Sequence, residues 1–159
     1  MSEKNSEETE ELKKKLFWLS LKDLDEVYEL DQICFPKEVA FPREFFAYLL
    51  SAPDCVALGI KSGKKLAGFI IAQAQTRYRA QLITLDIAPE QRRKGLASFL
   101  LDFLHRFLKE RGFKKIRLEV AYNNHPAISL YQKHGYEWKG IRKKYYPDGT
   151  DAIIMEKSL

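Results

Sequence analysis

The sequence predicts an α/β fold: a central sheet, partly antiparallel, covered by helices on both faces. Three observations predict it. With 159 residues, 45% of them hydrophobic and 13% aromatic, the chain is the size of one domain and can bury a substantial core. Short apolar runs of strand character are interspersed with segments of helical period, in an order that suits a sheet clad on both sides. Two of the strand candidates, "CVALGIK" and "LAGFIIAQAQTRY", are separated only by "SGKK", a tight turn that joins antiparallel neighbours.

The elements follow in order. "SEKNSEETEELKKK" is charged and lacks an apolar period, so residues 1–15 read as a disordered tail and the domain starts at Leu16. "LFWLSL" reads as a strand. In "KDLDEVYELDQICF", Leu24, Val27, Tyr28, Ile33 and Cys34 fall at helical spacing, and Pro36 ends that helix. Pro42 suits a first helical turn, so "REFFAYLLS" reads as a second short helix. After the "SGKK" hairpin, "QLITLDIAP" is a third sheet segment. Leu96, Phe99, Leu100, Phe103, Leu104, Phe107 and Leu108 then repeat at steps of three and one, an amphipathic helix closed by Gly112. "FKKIRLEVA" is a strand, and "NNHPAISLYQKHG" is a short helix with Pro126 early and Gly135 at its end. "YEWKGIRKKYY" and "DAIIMEK" form a hairpin around "PDGT".

Charge and composition narrow the function classes. Residues 1–11 hold five glutamates and one lysine, so the overall formal charge of +5 leaves +9 on the rest. A basic body suits a nucleic acid, an acidic protein or a phosphorylated small molecule, and charge does not choose among them. No apolar run approaches the ~20 residues that cross a bilayer, and the start has no signal core, so a soluble cytoplasmic protein with no membrane partner is expected. Cys34 and Cys55 lack CxxC spacing and read as buried, reduced thiols. His105, His125 and His134 show no metal-ligand spacing, so surface or packing roles are expected and no metal.

One stretch carries more chemistry than the others. "PEQRRKGLASFLLDFLHRFL" sets Arg92, Arg93, Lys94 and Gly95 at the start of the amphipathic helix. Strand, basic loop and helix N-terminus together offer backbone N–H groups and partial positive charge to an anion, and Gly95 lets the backbone come close. A solvated surface loop has the same composition, and spacing alone leaves both readings open. Neither GxxxxGK[ST] nor GxGxxG is present, so the anion is not a nucleoside triphosphate or a dinucleotide.

"RRKGLA" resembles the [QR]-x-x-G-x-[GA] motif of the GNAT superfamily of acetyltransferases. "LEVAYNNHPAISLYQKHGYE" is similar to the L-E-V-x-x-x-N-x-x-A-I-x-L-Y-x-x-x-G-F/Y segment of the same superfamily. "RKKYYPDGTDAIIM" resembles the Y-Y-x-D-G-x-D-A-x-x-M segment of its N-terminal acetyltransferases. The three motifs, in order, span Leu82 to Met155 and point to the RimI-like branch, the ribosomal-protein-alanine N-acetyltransferases and their archaeal relatives.

That resemblance implies the GNAT fold over residues 16–159, with about six to seven largely antiparallel strands and about four helices. It also implies acetyl transfer from acetyl-CoA to the α-amino group of a protein or peptide, possible acceptors including a ribosomal protein. Arg92, Arg93, Lys94, Gly95, Leu96 and Ala97 are then the pyrophosphate loop, and Leu85, Asp86 and Ile87 the strand that meets the pantetheine arm and the acetyl carbonyl. Asn124 is a cofactor contact, a helix N-cap, or both. Glu119, alternating against Ile116, Leu118 and Val120, takes the role of general base acting through water, where pattern alone also allows a solvated strand glutamate. Tyr131 takes the role of general acid to the thiolate, where a core tyrosine is the other reading. Phe35 and Pro36 face Tyr145 and Tyr146 across the acceptor. Asp86 departs from the pattern of many relatives, which carry a small residue there; it reads as an exposed strand residue or as a second carboxylate near the amine. The loop after the first helix is slightly longer than in close relatives, which bears on first-residue specificity. Lysine side chains, polyamines and small amines are the alternative acceptors. A basic nucleic-acid-binding module is the rival from another class, though no nucleic-acid-binding motif is present.

Overall fold

The structure, a computed structural model, describes residues 3–159. Its elements are α1 (Glu3–Lys15), β1 (Leu16–Trp18), α2 (Leu24–Cys34), α3 (Arg43–Ser51), β2 (Cys55–Ser62), β3 (Lys65–Ala74), β4 (Arg79–Ile87), α4 (Leu96–Glu110), β5 (Lys115–Ala121), α5 (His125–Lys133), β6 (Glu137–Arg142) and β7 (Ala152–Ser158). The seven strands form one sheet in the order β1-β2-β3-β4-β5-β7-β6, and every neighbouring pair is antiparallel except β4 with β5.

Two cores flank the sheet. On one side the stripe Leu96, Leu100, Leu101, Leu104 and Leu108 of α4 packs with Tyr131 of α5 on Ile70, Leu82, Ile116, Leu118 and Val120. On the other, Val27 and Leu30 of α2 and Phe46 and Leu49 of α3 cover Phe69 and Ile71. Burying each fully covered leucine contributes about 1.5–3 kcal/mol, so α4 is anchored by its apolar face. His105 on α4 is a packing residue: it is buried, its Nε2 lies 2.8 Å from the Tyr136 hydroxyl, and burial pulls its pKa down to about 4.

Two expectations need correction. Residues 3–15, expected as part of a disordered tail, are helical; residues 1 and 2 of that segment lie outside the described residues. A glutamate in the first turn and lysines in the last complement the helix dipole, Lys13 pairs with Glu10 at 3.0 Å, and Leu12 packs against the α4-side core. In α2 the inward positions belong to Leu24, Val27, Leu30 and Asp31, while Ile33, expected on that face, is 64% exposed.

Candidate active site

β4 and β5 pair only at Arg79–Gln81 against Lys115–Arg117 and then part. Each strand remains laddered on its other side, β4 to β3 and β5 to β7, so the sheet splits into a V. A bulge sharpens it. Ile71 pairs with Thr84 and Ala72 with Leu82, leaving Ile83 as the extra residue on β4, and bulges bend a strand beside the site it serves. The resulting cleft has a volume of ≈ 1140 Å³ and is lined along its length by Gln81, Leu82, Ile83, Thr84, Leu85, Ile87, Glu119, Val120 and Ala121.

At the α4 end, Arg92, Arg93, Gly95, Leu96 and Ala97 border the cleft; Lys94 does not, and its Nζ donates to the Gln91 side chain at 3.2 Å. Gly95 is the N-cap of α4 with φ of +79°, a left-handed conformation that favours glycine, and a Cβ there would meet open space. With no side chain to cap the helix, its first amides remain available to an anion. Arg93 also has positive φ, 64°, and Arg92 folds back so that its Nε donates to the Ile87 carbonyl at 3.1 Å. These features fit a pyrophosphate group.

Glu119 lies on the cleft wall with its side chain 13% exposed. Two residues that sequence reasoning missed hold it: the Gln81 amide donates to Oε2, and Arg142 Nε donates to Oε1 at 3.2 Å. Gln81 reaches it because β4 and β5 still pair at that level, a register that no local motif reveals. Tyr131 borders the cleft from α5, and burial first, then the charge on Asp86 and the nearby Tyr146, raise its pKa. It therefore stays protonated at working pH. Asn124 lines the cleft and also caps α5, its Oδ1 accepting the Ala127 N–H at 3.3 Å.

The third wall comes from two loops. Phe35, Val39, Ala40 and Phe41 approach from the α2–α3 connection, and Tyr145, Tyr146 and Pro147 from the β6–β7 connection; Pro36 does not line the cleft. The Tyr145 and Tyr146 rings meet edge to face at 5.0 Å, and burial lifts Tyr146 to about 12. Cys34, expected as a plain buried thiol, is half-buried and lines the cleft; its Sγ donates to the Ile87 carbonyl at 3.3 Å, and burial lifts its pKa to about 11. Asp86 is corrected most. It is neither exposed nor at the cleft surface but fully buried, facing Asp31 of α2. Leu85 and Ile87 on either side of it do line the cleft. Among the described residues no cluster of three or more His, Cys, Asp or Glu side chains could hold a metal, and no helix is long and apolar enough to cross a membrane.

Comparison with known proteins adds the following. The sequence model of the Acetyltransferase (GNAT) family matches residues 24–136. A ribosomal protein bS18-alanine N-acetyltransferase of Salmonella typhimurium is 32% identical over 143 residues, covering 86% of this chain and 92% of that protein. An N-alpha-acetyltransferase of Saccharolobus solfataricus is 26% identical over 149 residues, covering 86% and 88%. The crystal structure of the ribosomal-protein-S18-alanine N-acetyltransferase from Escherichia coli superposes with a TM-score of 0.80 at 32% identity, covering 91% of this chain and 92% of that one.

Proposed function

The chain belongs to the acetyltransferase (GNAT) family, and from that footing we propose that it moves the acetyl group of acetyl-CoA to the α-amino group at the N-terminus of a cytoplasmic protein or peptide. The observation that carries the reading is the convergence of four parts on one cleft: the anion-binding turn before α4, Glu119, Tyr131, and the tyrosine pair of the β6–β7 loop. Relatives that acetylate the alanine of a ribosomal protein support a ribosomal acceptor.

Acetyl-CoA supplies an activated thioester. The chain's residues do the rest. The α4 amides with Arg92 and Arg93 hold the pyrophosphate, and the unpaired edge of β4 at Leu85 and Ile87 fixes the amide-bearing arm and the acetyl carbonyl. An α-amine has a pKa of roughly 7.7–8, so much of it arrives protonated, and Glu119 takes that proton through water. Tyr131 gives its proton to the departing thiolate, whose conjugate acid lies near 8.5. The transfer is direct. Cys34, the thiol in the cleft, donates its proton to a carbonyl and titrates near 11, so at neutral pH it offers almost no thiolate to carry an acyl group.

The test is thiol release with acetyl-CoA across peptides that differ in their first residue, alongside lysine-containing peptides with blocked N-termini. Free N-termini are expected to be acetylated and blocked ones not. Acetylation of the blocked peptides alone would make lysine the acceptor.

A further inference from the structure

Asp31 and Asp86 are the two described carboxyls with no exposure at all. They meet behind the cleft surface, one from α2 and the other from β4. Asp31 ends the buried face of α2, and its Oδ2 accepts the Phe41 N–H at 2.8 Å. The neighbouring Gln32 amide donates to the Phe41 carbonyl at 3.0 Å, so both backbone groups of Phe41 are fixed by α2. Asp86 sits on β4 between Leu85 and Ile87, and its Oδ1 accepts the Thr84 hydroxyl. One oxygen of each, Asp31 Oδ1 and Asp86 Oδ2, has no N–H or hydroxyl donor. The two carboxyls face each other and perturb each other's titration, and both of those unpartnered oxygens are buried from solvent. Two carboxylates are acceptors only and leave both oxygens orphaned, whereas a single proton held between them lets one carboxyl donate to the other and satisfies both.

We propose that Asp31 and Asp86 form a one-proton clamp that ties the acceptor wall, through Phe41, to the acetyl-holding strand β4 and so positions the acceptor amine without touching it. The proposal rests on the reading above that the α2–α3 loop bounds the acceptor. The surrounding groups favour a shared proton. Burial raises the pKa of both carboxyls, and the charge of Asp31 raises Asp86 further. The opposing groups are the Thr84 hydroxyl on β4 and Arg92 beyond it for Asp86, and the Phe41 N–H for Asp31. Cys34 on α2 and Tyr131 on α5 also face Asp86, and both are neutral at pH 7 because their pKa values are raised. A pair with raised pKa values keeps its proton to higher pH than isolated carboxyls, and losing it leaves two buried charges that repel across the joint.

The test compares Asp86→Asn with Asp86→Ala. An asparagine amide can accept from Thr84 and donate to Asp31, so it replaces the shared proton; alanine leaves Asp31 unpaired. Asp86→Ala is expected to raise acceptor KM tenfold or more, to leave the Kd for acetyl-CoA within twofold, and to speed hydrogen exchange of the Phe41 amide at least tenfold. Asp86→Asn is expected to restore both KM and Phe41 protection. The clamp is refuted if the two variants behave alike, or if exchange speeds equally throughout β3 and β4. A measurement on the unmodified protein guards against misfolding of the alanine variant. Infrared spectra at pH 7 should show a protonated carboxyl that Asp86→Asn removes, and its absence from the unmodified protein overturns the proposal. If no peptide is acetylated, the acceptor reading fails, while the exchange and infrared measurements still decide the clamp.

Discussion

Replacing Glu119 with glutamine removes a proton acceptor while nearly keeping its shape. In the folded protein Oε1 accepts from Arg142 and Oε2 from the Gln81 amide. Glutamine offers one acceptor and one donor at those positions, so one of the two bonds is lost and an N–H faces another N–H. A bond to a charged group is worth about 1.5–3 kcal/mol at most. Because the Arg142 side chain is 49% exposed, screening reduces the loss to about 1 kcal/mol, a fall in Tm of roughly 2–4 °C for a chain of this size. The catalytic loss is expected to be larger, about 10²–10³ in kcat at pH 7, as for removal of a general base. It should also depend on pH. An α-amine of pKa near 8 is about one-tenth deprotonated at pH 7 and about nine-tenths at pH 9, so the deficit narrows roughly tenfold across that interval. Thiol-release kinetics at saturating acetyl-CoA, with a free-N-terminus peptide, measure it. A deficit that stays constant from pH 7 to 9, or one no larger than the Tm change accounts for, would refute the assignment of Glu119 as base.

Tyr131→Phe is expected to lower kcat about 10²-fold at pH 7 with little change in Tm; the control Tyr136→Phe, whose hydroxyl contacts His105 at 2.8 Å, should lose about 1 kcal/mol of stability and little turnover. Equal turnover losses in the two would return Tyr131 to the core. The lowered pKa of His105 predicts an acid-sensitive fold. Between the ordinary value near 6.5 and about 4, the unfolded chain binds a proton that the folded chain does not, so stability falls as pH drops through that window, by up to about 3 kcal/mol. Urea midpoints from pH 7 to 4 should therefore fall less steeply in His105→Gln, and parallel slopes would contradict it.

The sequence revealed what local periodicity and short motifs encode. α4 announces itself by an uninterrupted apolar stripe, and Gly95 sits where a basic turn meets it, so the position of that turn at one end of the cleft was legible from about twenty consecutive residues. Glu119 was placed by simple alternation in β5, where buried and partly exposed positions alternate as expected. Asp86 was misread because it occupies an inward position of β4, which the pattern of a half-buried strand reserves for apolar residues. Its justification is Asp31, distant in sequence and itself hidden in a helix whose inward face looked complete with Ile33. The same holds for Gln81 and Arg142. Their role follows from strand register, which pairs β4 with β5 and brings the end of β6 beside Glu119, and neither relation leaves a trace in a local window.

The sheet order explains why the cleft lies where it does. β1 to β4 form one antiparallel ladder and β5, β7 and β6 another, and among the described residues the strand pairing of Arg79–Gln81 with Lys115–Arg117 joins them. Beyond that joint, β4 cannot drift back toward β5, because β3 holds it closely. At Gly68 a Cβ would come within 2.7 Å of the Ile87 side chain and 2.8 Å of the Asp86 carbonyl, so only glycine lets the two strands approach this far. Ile87 is tethered further, its carbonyl receiving both the Cys34 thiol and the Arg92 guanidinium. The edge of β4 that faces the cleft thus carries backbone donors and acceptors without a strand partner, and such groups need partners when they are covered. On the function proposed above, an extended ligand with its own amides, as the pantetheine arm of acetyl-CoA is, would satisfy them by acting as the missing strand. The opening is therefore part of the folded sheet, and a ligand bound in this way would complete a ladder that the sheet leaves unfinished.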